Sequence, residues 1–277
     1  IKQYCEQNNK QIYDYVYETE GEEIKNFLGE IWEAMKESIC FGLNAEGIIP
    51  GKLQLSKRAK SIYNNKIENE PTEVKRTRLL TAYAYAVSET NASGGEIVTA
   101  PTCGSCGVLP ATLYYLQKED KYTDEEIINA LATAGIIGNI VKTNASISGA
   151  ECGCQAEIGT ACSMAAAACS QLRKLDIYKI EHAAEIAMEH HLGLTCDPIY
   201  GYVQIPCIER NAVAAIRAID ASNISMLLDE NQKISFDLIT ETMYETGKDL
   251  RSHYRETSTG GLAKKYCRNK YYNTDME

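Results

Sequence analysis

QAEIGTACSMAAAACSQLRKL, residues 155–175, is rich in alanine and other small side chains. Alanine is the strongest helix former, and small side chains let neighbouring helices approach closely. The stretch is therefore expected to be a helix in the middle of the molecule. Helices to surround it are legible on both sides. In EEIKNFLGEIWEAMKESICFGL (22–43), Ile24, Phe27, Leu28, Ile31, Trp32, Met35 and Ile39 recur every three or four residues, which is one face of a helix. Residues 73–90 and 124–141 read as helices, the second with Thr123 or Asp124 able to cap its start. Residues 179–193 end on Gly193, a suitable C-terminal stop, and 207–228 and 234–250 complete the set. Strand signals are confined to EIVTAP (96–101) and YVQIP (202–206). The expected fold is all-α: one mostly helical domain with few short strands. Its loops of interest are 91–110, 142–154, 192–207 and the tail after 256.

The bulk composition narrows the function. The net charge of −10 argues against a general affinity for nucleic acid or an anionic membrane surface. No apolar run approaches the ~20 residues of a membrane span. The opening IKQYCEQNNK is polar and lacks the apolar core of a secretory signal. The expected location is the reducing cytoplasm. Eleven cysteines are an odd number, and a chain of 277 residues does not need disulfide staples. Many of these cysteines, Cys5, Cys40, Cys162 and Cys169 among them, read as small buried hydrophobes.

Four cysteines crowd into 146–170, at the junction of a flexible loop and the alanine-rich helix. Disulfide, metal and plain packing are the three explanations. Cys154, Cys196 and Cys207 lie in loops or at a helix start, where a rigid scaffold can aim them at a common point. A helix N-terminus stabilises a thiolate, and a thiolate is what iron or zinc requires. Cys103 and Cys106 add a C-x-x-C in the glycine-rich turn APTCGSCG. From spacing alone, a metal or cluster site, a redox pair and no site at all stay open.

Longer motifs say more. NASISGAECGCQAEIGTACSMAAAA, MEHHLGLTCDPIYGYVQIPCIERNAV, RETSTGGLA and SGGEIVTAPTCGSCGVLPA closely resemble the alpha chain or alpha domain of iron–sulfur-dependent L-serine dehydratases. The likeness runs from about residue 75 to 263 and is weaker over the first 70 residues. The resemblance implies an all-helical domain over 1–277: a helical N-terminal part (1–70), a cluster-binding core (71–263) and a tail (264–277). It implies a [4Fe–4S] cluster held by Cys154, Cys196 and Cys207, with one iron left without a cysteine. Cys152 does not match a ligand, and in an extended segment it would point away from Cys154. Cys106 matches a position often occupied by cysteine, whereas Cys103 departs from many relatives. The resemblance also implies a beta domain or subunit carrying a Ser-Ser-Ser-His-Thr type motif, which this chain lacks. The chain is then one subunit or one domain of a lyase, in a homo- or hetero-oligomer. That lyase converts L-serine to pyruvate and ammonia, in amino-acid degradation and gluconeogenesis.

The reaction needs an acid for the leaving hydroxyl, a base for the α-proton and donors for the substrate carboxylate. The resemblance gives the first role to the open iron, as a Lewis acid. Asn144, Ser146, Ser148 and the backbone at Gly149 are candidate carboxylate donors, with Thr102, Gly104 and Ser105 as a second set. Arg210 is able to grip a carboxylate bidentately. Lys142 is the nearest cation in sequence. His190, in the family's M-E-H run, is favoured over His191 as a proton carrier, and His190 and Lys142 are the catalytic candidates. Each has a plainer alternative: turn or cap for the hydroxyls, helix end for the histidines, structural ion pair for Arg210. Cys267 is a loose match to a tail cysteine that folds back on the open iron in resting relatives. Two rival functions remain: a related cluster enzyme acting on L-cysteine or another β-substituted amino acid, and a non-catalytic zinc subunit with knuckles at Cys103/Cys106 and Cys152/Cys154. A pyridoxal-phosphate dehydratase would need a Schiff-base lysine in a context the sequence does not offer.

Overall fold

The alanine-rich stretch does become the centre of the molecule. In the computed structural model, which describes residues 1–229 and 232–274, every residue of Thr160–Leu172 is buried. In chain order the helices are α1 (Lys2–Gln7), α2 (Ile12–Glu20), α3 (Glu23–Asn44), α4 (Ala59–Asn64), α5 (Thr72–Ala92), α6 (Val108–Asp120), α7 (Asp124–Asn144), α8 (Gly149–Cys152), α9 (Thr160–Leu172), α10 (Ile177–Glu189), α11 (Cys207–Leu227), α12 (Phe236–Asp249) and α13 (Gly261–Thr274). Helix α9 is the hub, with α6, α7, α10 and α11 packed round it. Its alanines leave each neighbour only a methyl to pack against, so four helices reach one axis. A second layer forms where α3 and α4 cover α5, and one continuous apolar core runs from Ile12 to Met243.

Local chemistry fixes the helix ends. Thr123 caps α7: its Oγ1 accepts from Glu126 N at 3.2 Å, and Glu126 Oε2 accepts from Thr123 N at 2.9 Å. Asp124 instead accepts from Trp32 Nε1 at 3.0 Å and from Gln117 Nε2 at 2.8 Å, tying α3 and α6 to the start of α7. Helix α10 stops at Glu189, four residues before the expected glycine. Gly193 (φ +79°) sits in the turn that follows, its N–H donating to Gln155 Oε1 at 2.9 Å.

Two expectations need correction. Neither strand candidate is a strand: 96–101 has no regular structure, and 202–206 folds back so that Ile199 N donates to Ile205 O at 3.0 Å. Each segment is short and finds no partner strand to satisfy its backbone. Among the described residues, pairing is limited to isolated bridges at Ile48–Ser56 and Cys196–Arg255. The tail is not a loop but α13, helical through Thr274; the last three residues of the expected 264–277 segment lie outside the described residues. Among those described, no helix is long and apolar enough to cross a membrane.

Candidate metal centre

Three loops converge at the start of α9. The first leaves α8 through Gly153 (φ +76°), where a side chain would meet Leu194 O at 2.8 Å. That left-handed residue turns Cys152 and Cys154 apart; the backbone here is a helix end rather than the extended segment expected from sequence. Cys152 packs on α12 so closely that a Cβ on Gly247 would lie 2.4 Å from its own. Cys154 faces the opposite way and opens a π-helical turn, Gln155–Gly159, that runs into α9. Such turns re-aim side chains and recur at functional sites.

The second loop carries Cys196. Its N–H donates to Tyr254 O at 2.8 Å and its carbonyl accepts from Glu256 N at 2.6 Å. The 252–263 segment thus straps the cysteine from outside. Ser258 Oγ donates to Pro198 O at 2.6 Å, and Asp197 Oδ2 accepts from Leu262 N, the second residue of α13. The third loop delivers Cys207 as the first residue of α11. Asn211, one turn on, donates from Nδ2 to Cys207 O and to Gly104 O, both at 2.8 Å, and accepts from Gly107 N at 2.9 Å. One buried amide therefore fastens the C-x-x-C turn to the helix that starts at Cys207.

Cys154, Cys196 and Cys207 are 2, 2 and 6% exposed, so all three thiols are withdrawn from solvent. Cys154 Sγ and Cys196 Sγ are 3.8 Å apart. The hydrogen bond from Cys196 lowers the Cys154 thiol against the opposing effect of burial, with Arg210 helping; the same bond raises Cys196. Burial raises Cys207. Glu157, which sequence reasoning missed, places Oε2 3.9 Å from both Cys154 Sγ and Cys196 Sγ. Its Oε1 accepts from Thr102 Oγ1 at 2.6 Å. Burial pushes this carboxyl up, partly offset by the Thr102 bond. Among the described residues, Cys154, Glu157 and Cys196 are the group whose donor atoms all lie within 4.8 Å of one another, and Cys207 is not part of it. Among the described residues, Cys103, Cys106 and Cys152 are not part of that close group. Cys103 is exposed and Cys106 fully buried, and Cys152 turns away.

The other expected site residues divide into three groups. Gly149 abuts the centre: a Cβ there would lie 2.5 Å from Glu157 Oε2 and 3.0 Å from Cys196 Sγ. Thr102 reaches it through Glu157, and Arg210 sits beside it, Nη1 donating to Thr195 O at 2.6 Å and Nη2 3.9 Å from Asp197 Oδ1. Arg210 thereby braces the chain on both sides of Cys196. Ser105, Ser146 and Ser148 shape the loops. Ser105 Oγ donates to Ala100 O at 3.2 Å, Ser146 Oγ accepts from Ser148 N at 3.1 Å, and Ser148 precedes α8 as its N-cap residue. Lys142 and Asn144 are exposed in the last turn of α7, and Cys267 is part-buried on α13, outside the close donor group. His190 is exposed at the end of α10, its Nδ1 2.8 Å from Ile186 O and its carbonyl accepting from Arg217. The buried partner is His191, lowered to about 4 chiefly by burial, with Nδ1 2.7 Å from Ala187 O. Both line a groove of about 510 Å³ with Leu194, Pro206 and Arg210.

The donor set suits a thiolate-held metal group. Three sheltered thiols come from three separate segments, and a glycine keeps the space beside them clear. Comparison with known proteins bears on the same residues. The family described as serine dehydratase alpha chain matches residues 2–263. The chain is similar to an L-serine dehydratase of Haemophilus influenzae, 46% identical over 276 residues, covering 96% of this chain and 60% of that protein. It is similar to L-serine dehydratase TdcG of Escherichia coli, 49% identical over 247 residues (87% of this chain, 54% of that protein). An L-serine dehydratase of Helicobacter pylori is 45% identical over 271 residues, 94% of this chain and 59% of that one. The chain thus spans little more than half the length of these curated relatives. With its thiols, glycine turns and strapping loop all inside the matched range, the chain belongs to the serine dehydratase alpha chain family.

Proposed function

We propose that this chain is the cluster-binding part of an L-serine ammonia-lyase, producing pyruvate and ammonia from L-serine in the reducing cytoplasm. The observation that carries the reading is the convergence of Cys154, Cys196 and Cys207, from three loops, on one sheltered point. These three thiols would hold a [4Fe–4S] cluster. When bound, such a cluster with one iron lacking a cysteine supplies a Lewis acid for the departing hydroxyl.

The chain's own residues do the rest of the local work. Arg210 and the 252–263 strap hold the Cys196 loop, so the ligands are positioned by backbone hydrogen bonds rather than by side-chain packing alone. Gly149 keeps a side chain out of the space between Glu157 and Cys196. The half-buried Ser148 hydroxyl and the N–H groups of the 146–149 turn would meet the substrate carboxylate, with the turn at Thr102 as a second candidate. His191 is neutral near pH 7 and buried, which leaves His190 as the histidine of this region open to solvent. The base for the α-proton is assigned to a second domain or subunit. The family's description as an alpha chain, and the part of the relatives' length that this chain does not span, support that division.

Anaerobic reconstitution with iron and sulfide tests the reading. The expected product is a brown protein with about four irons and four sulfides per chain. Single Ser substitutions at Cys154, Cys196 and Cys207 each abolish it. Lyase activity on serine, rather than cysteine, should appear once the beta part is supplied. A chain that stays colourless under reducing anaerobic conditions overturns the assignment.

A further inference from the structure

We propose that, before any cluster is built, Cys154, Glu157 and Cys196 form a ready-made site for one divalent transition-metal ion. Glu157 is its oxygen ligand. This inference does not rest on the four-iron reading; it rests on the spacing of the three donors.

Two thiolates on one tetrahedral ion, with metal–sulfur bonds of about 2.3 Å, stand about 3.8 Å apart; a thiolate and a carboxylate oxygen on that ion stand about 3.6 Å apart. The corresponding separations here are 3.8 Å between Cys154 Sγ and Cys196 Sγ, and 3.9 Å from each sulfur to Glu157 Oε2. The triangle is within a few tenths of an ångström of single-ion geometry. It is far from a disulfide, whose sulfurs lie about 2.05 Å apart. It is also tighter than a cubane requires, because there each cysteine binds a different iron and two thiolates do not share one metal.

The carboxylate is prepared for this role. Thr102 donates to Oε1 at 2.6 Å and so turns Oε2 toward the sulfurs, as the outer partners of metal ligands do. Gly104 lies against the same group: a Cβ there would be 3.0 Å from Oε1. Gly149 closes the opposite side at 2.5 Å from Oε2. Three other chain segments, at 102–104, 149 and 196, therefore surround Glu157, and no lysine or arginine forms a salt bridge with it among the described residues. A mixed sulfur and oxygen set of this kind suits a borderline ion such as Zn²⁺, Fe²⁺ or Co²⁺. The fourth position is left for water, since Cys207 is not part of the close group. Zinc in this site would occupy two of the three cluster thiols and block cluster assembly.

The test uses the whole chain, metal-free, anaerobic and reduced, titrated with Co²⁺. The expected result is one ion per chain, with tetrahedral d–d bands and a sulfur-to-cobalt charge-transfer band. Glu157→Ala and Glu157→Gln should weaken binding by at least about tenfold, and Thr102→Val by about 10–100-fold as the loss of an orienting partner. The Gln variant keeps the side-chain shape, and far-ultraviolet circular dichroism on each variant shows that it folds. Cys207→Ser should leave Co²⁺ binding in place while preventing four-iron reconstitution, which separates this proposal from the cluster reading. Zinc-loaded chain should resist reconstitution until chelated. Binding untouched by folded Glu157 variants, or lost in Cys207→Ser as completely as in Cys154→Ser, overturns the proposal.

Discussion

Replacing Gly149 with alanine separates the fold from the site. The residue opens α8, and its backbone is not left-handed, so alanine is compatible with the chain path. Alanine in place of a helical glycine is worth about 0.5–1 kcal/mol. The added methyl would, however, stand 2.5 Å from Glu157 Oε2 and 3.0 Å from Cys196 Sγ. Reaching ordinary contact requires the oxygen to retreat by about 1 Å. Overpacking of that kind costs about 1–3 kcal/mol. The net change is a loss of about 0–2 kcal/mol, and at about 2–4 °C per kcal/mol for a chain of this order of size the Tm falls by less than about 8 °C. The metal is affected far more, because ligand bonds tolerate only about 0.2 Å of misplacement. Gly149→Ala is therefore expected to stay folded and to lose at least about tenfold in Co²⁺ affinity, with four-iron content reduced in parallel. Gly135→Ala is the control. It lies inside α7 with nothing within 4 Å of an added Cβ, so it should gain about 0.5–1 kcal/mol and leave metal loading unchanged. Calorimetry and metal titration on the same preparations read both quantities. Full metal affinity in Gly149→Ala would refute the placement of Glu157 and Cys196 around this backbone.

Two further outcomes follow from buried polar groups. Asn211→Ala removes the partner of Gly107 N and Gly104 O, and at about 1–3 kcal/mol for each group left unpaired in the interior the chain should lose about 2–6 kcal/mol, read as a lower denaturation midpoint. Glu185 is raised to about 8, first by burial and then by the neighbouring Glu189 carboxylate. The unfolded chain releases this proton near the ordinary carboxylate value, while the folded chain keeps it, so this group lowers stability as pH rises from about 4.5 to about 8. Glu185→Gln should accordingly raise Tm at pH 8 and lose that advantage below about pH 4.5; an equal gain at both pH values would show that the carboxyl is not held protonated.

The long helices were legible because burial writes itself into the sequence with a 3.6-residue period. The spacing of Ile24 through Ile39 placed α3 to within a residue at each end, and the alanines of α9 announced a helix crowded on every side. What was not legible lacked that period or depended on distant partners. EIVTAP has the composition of a strand, but a strand exists only when another accepts its hydrogen bonds. Helix α13 has a weakly apolar face, and its start is fixed by Asp197, 65 positions earlier in the chain. At the site, the three cysteines stood out by their loop positions. Glu157 did not. Read as part of a regular helix, CQAEIG gives a carboxylate no particular direction, and only the π turn swings it between the two thiols.

The same contrast explains how the centre is held. None of its cysteines is fixed by neighbours in sequence alone: Cys196 is gripped by the strap at 254–256, Cys207 by an asparagine that also holds the C-x-x-C turn, and Cys154 by a left-handed glycine backed onto the Cys196 loop. Each tie joins one of these cysteines to the loop that carries, or leans on, another. Loosening any one of them displaces the others, so metal binding and loop order are coupled. Metal should therefore protect the amides of 194–197 and 254–256 from hydrogen exchange far more than those of α7 and α9, whose core packing does not depend on it. Uniform protection across the chain would mean that the loops are set by the helical core and merely receive the metal.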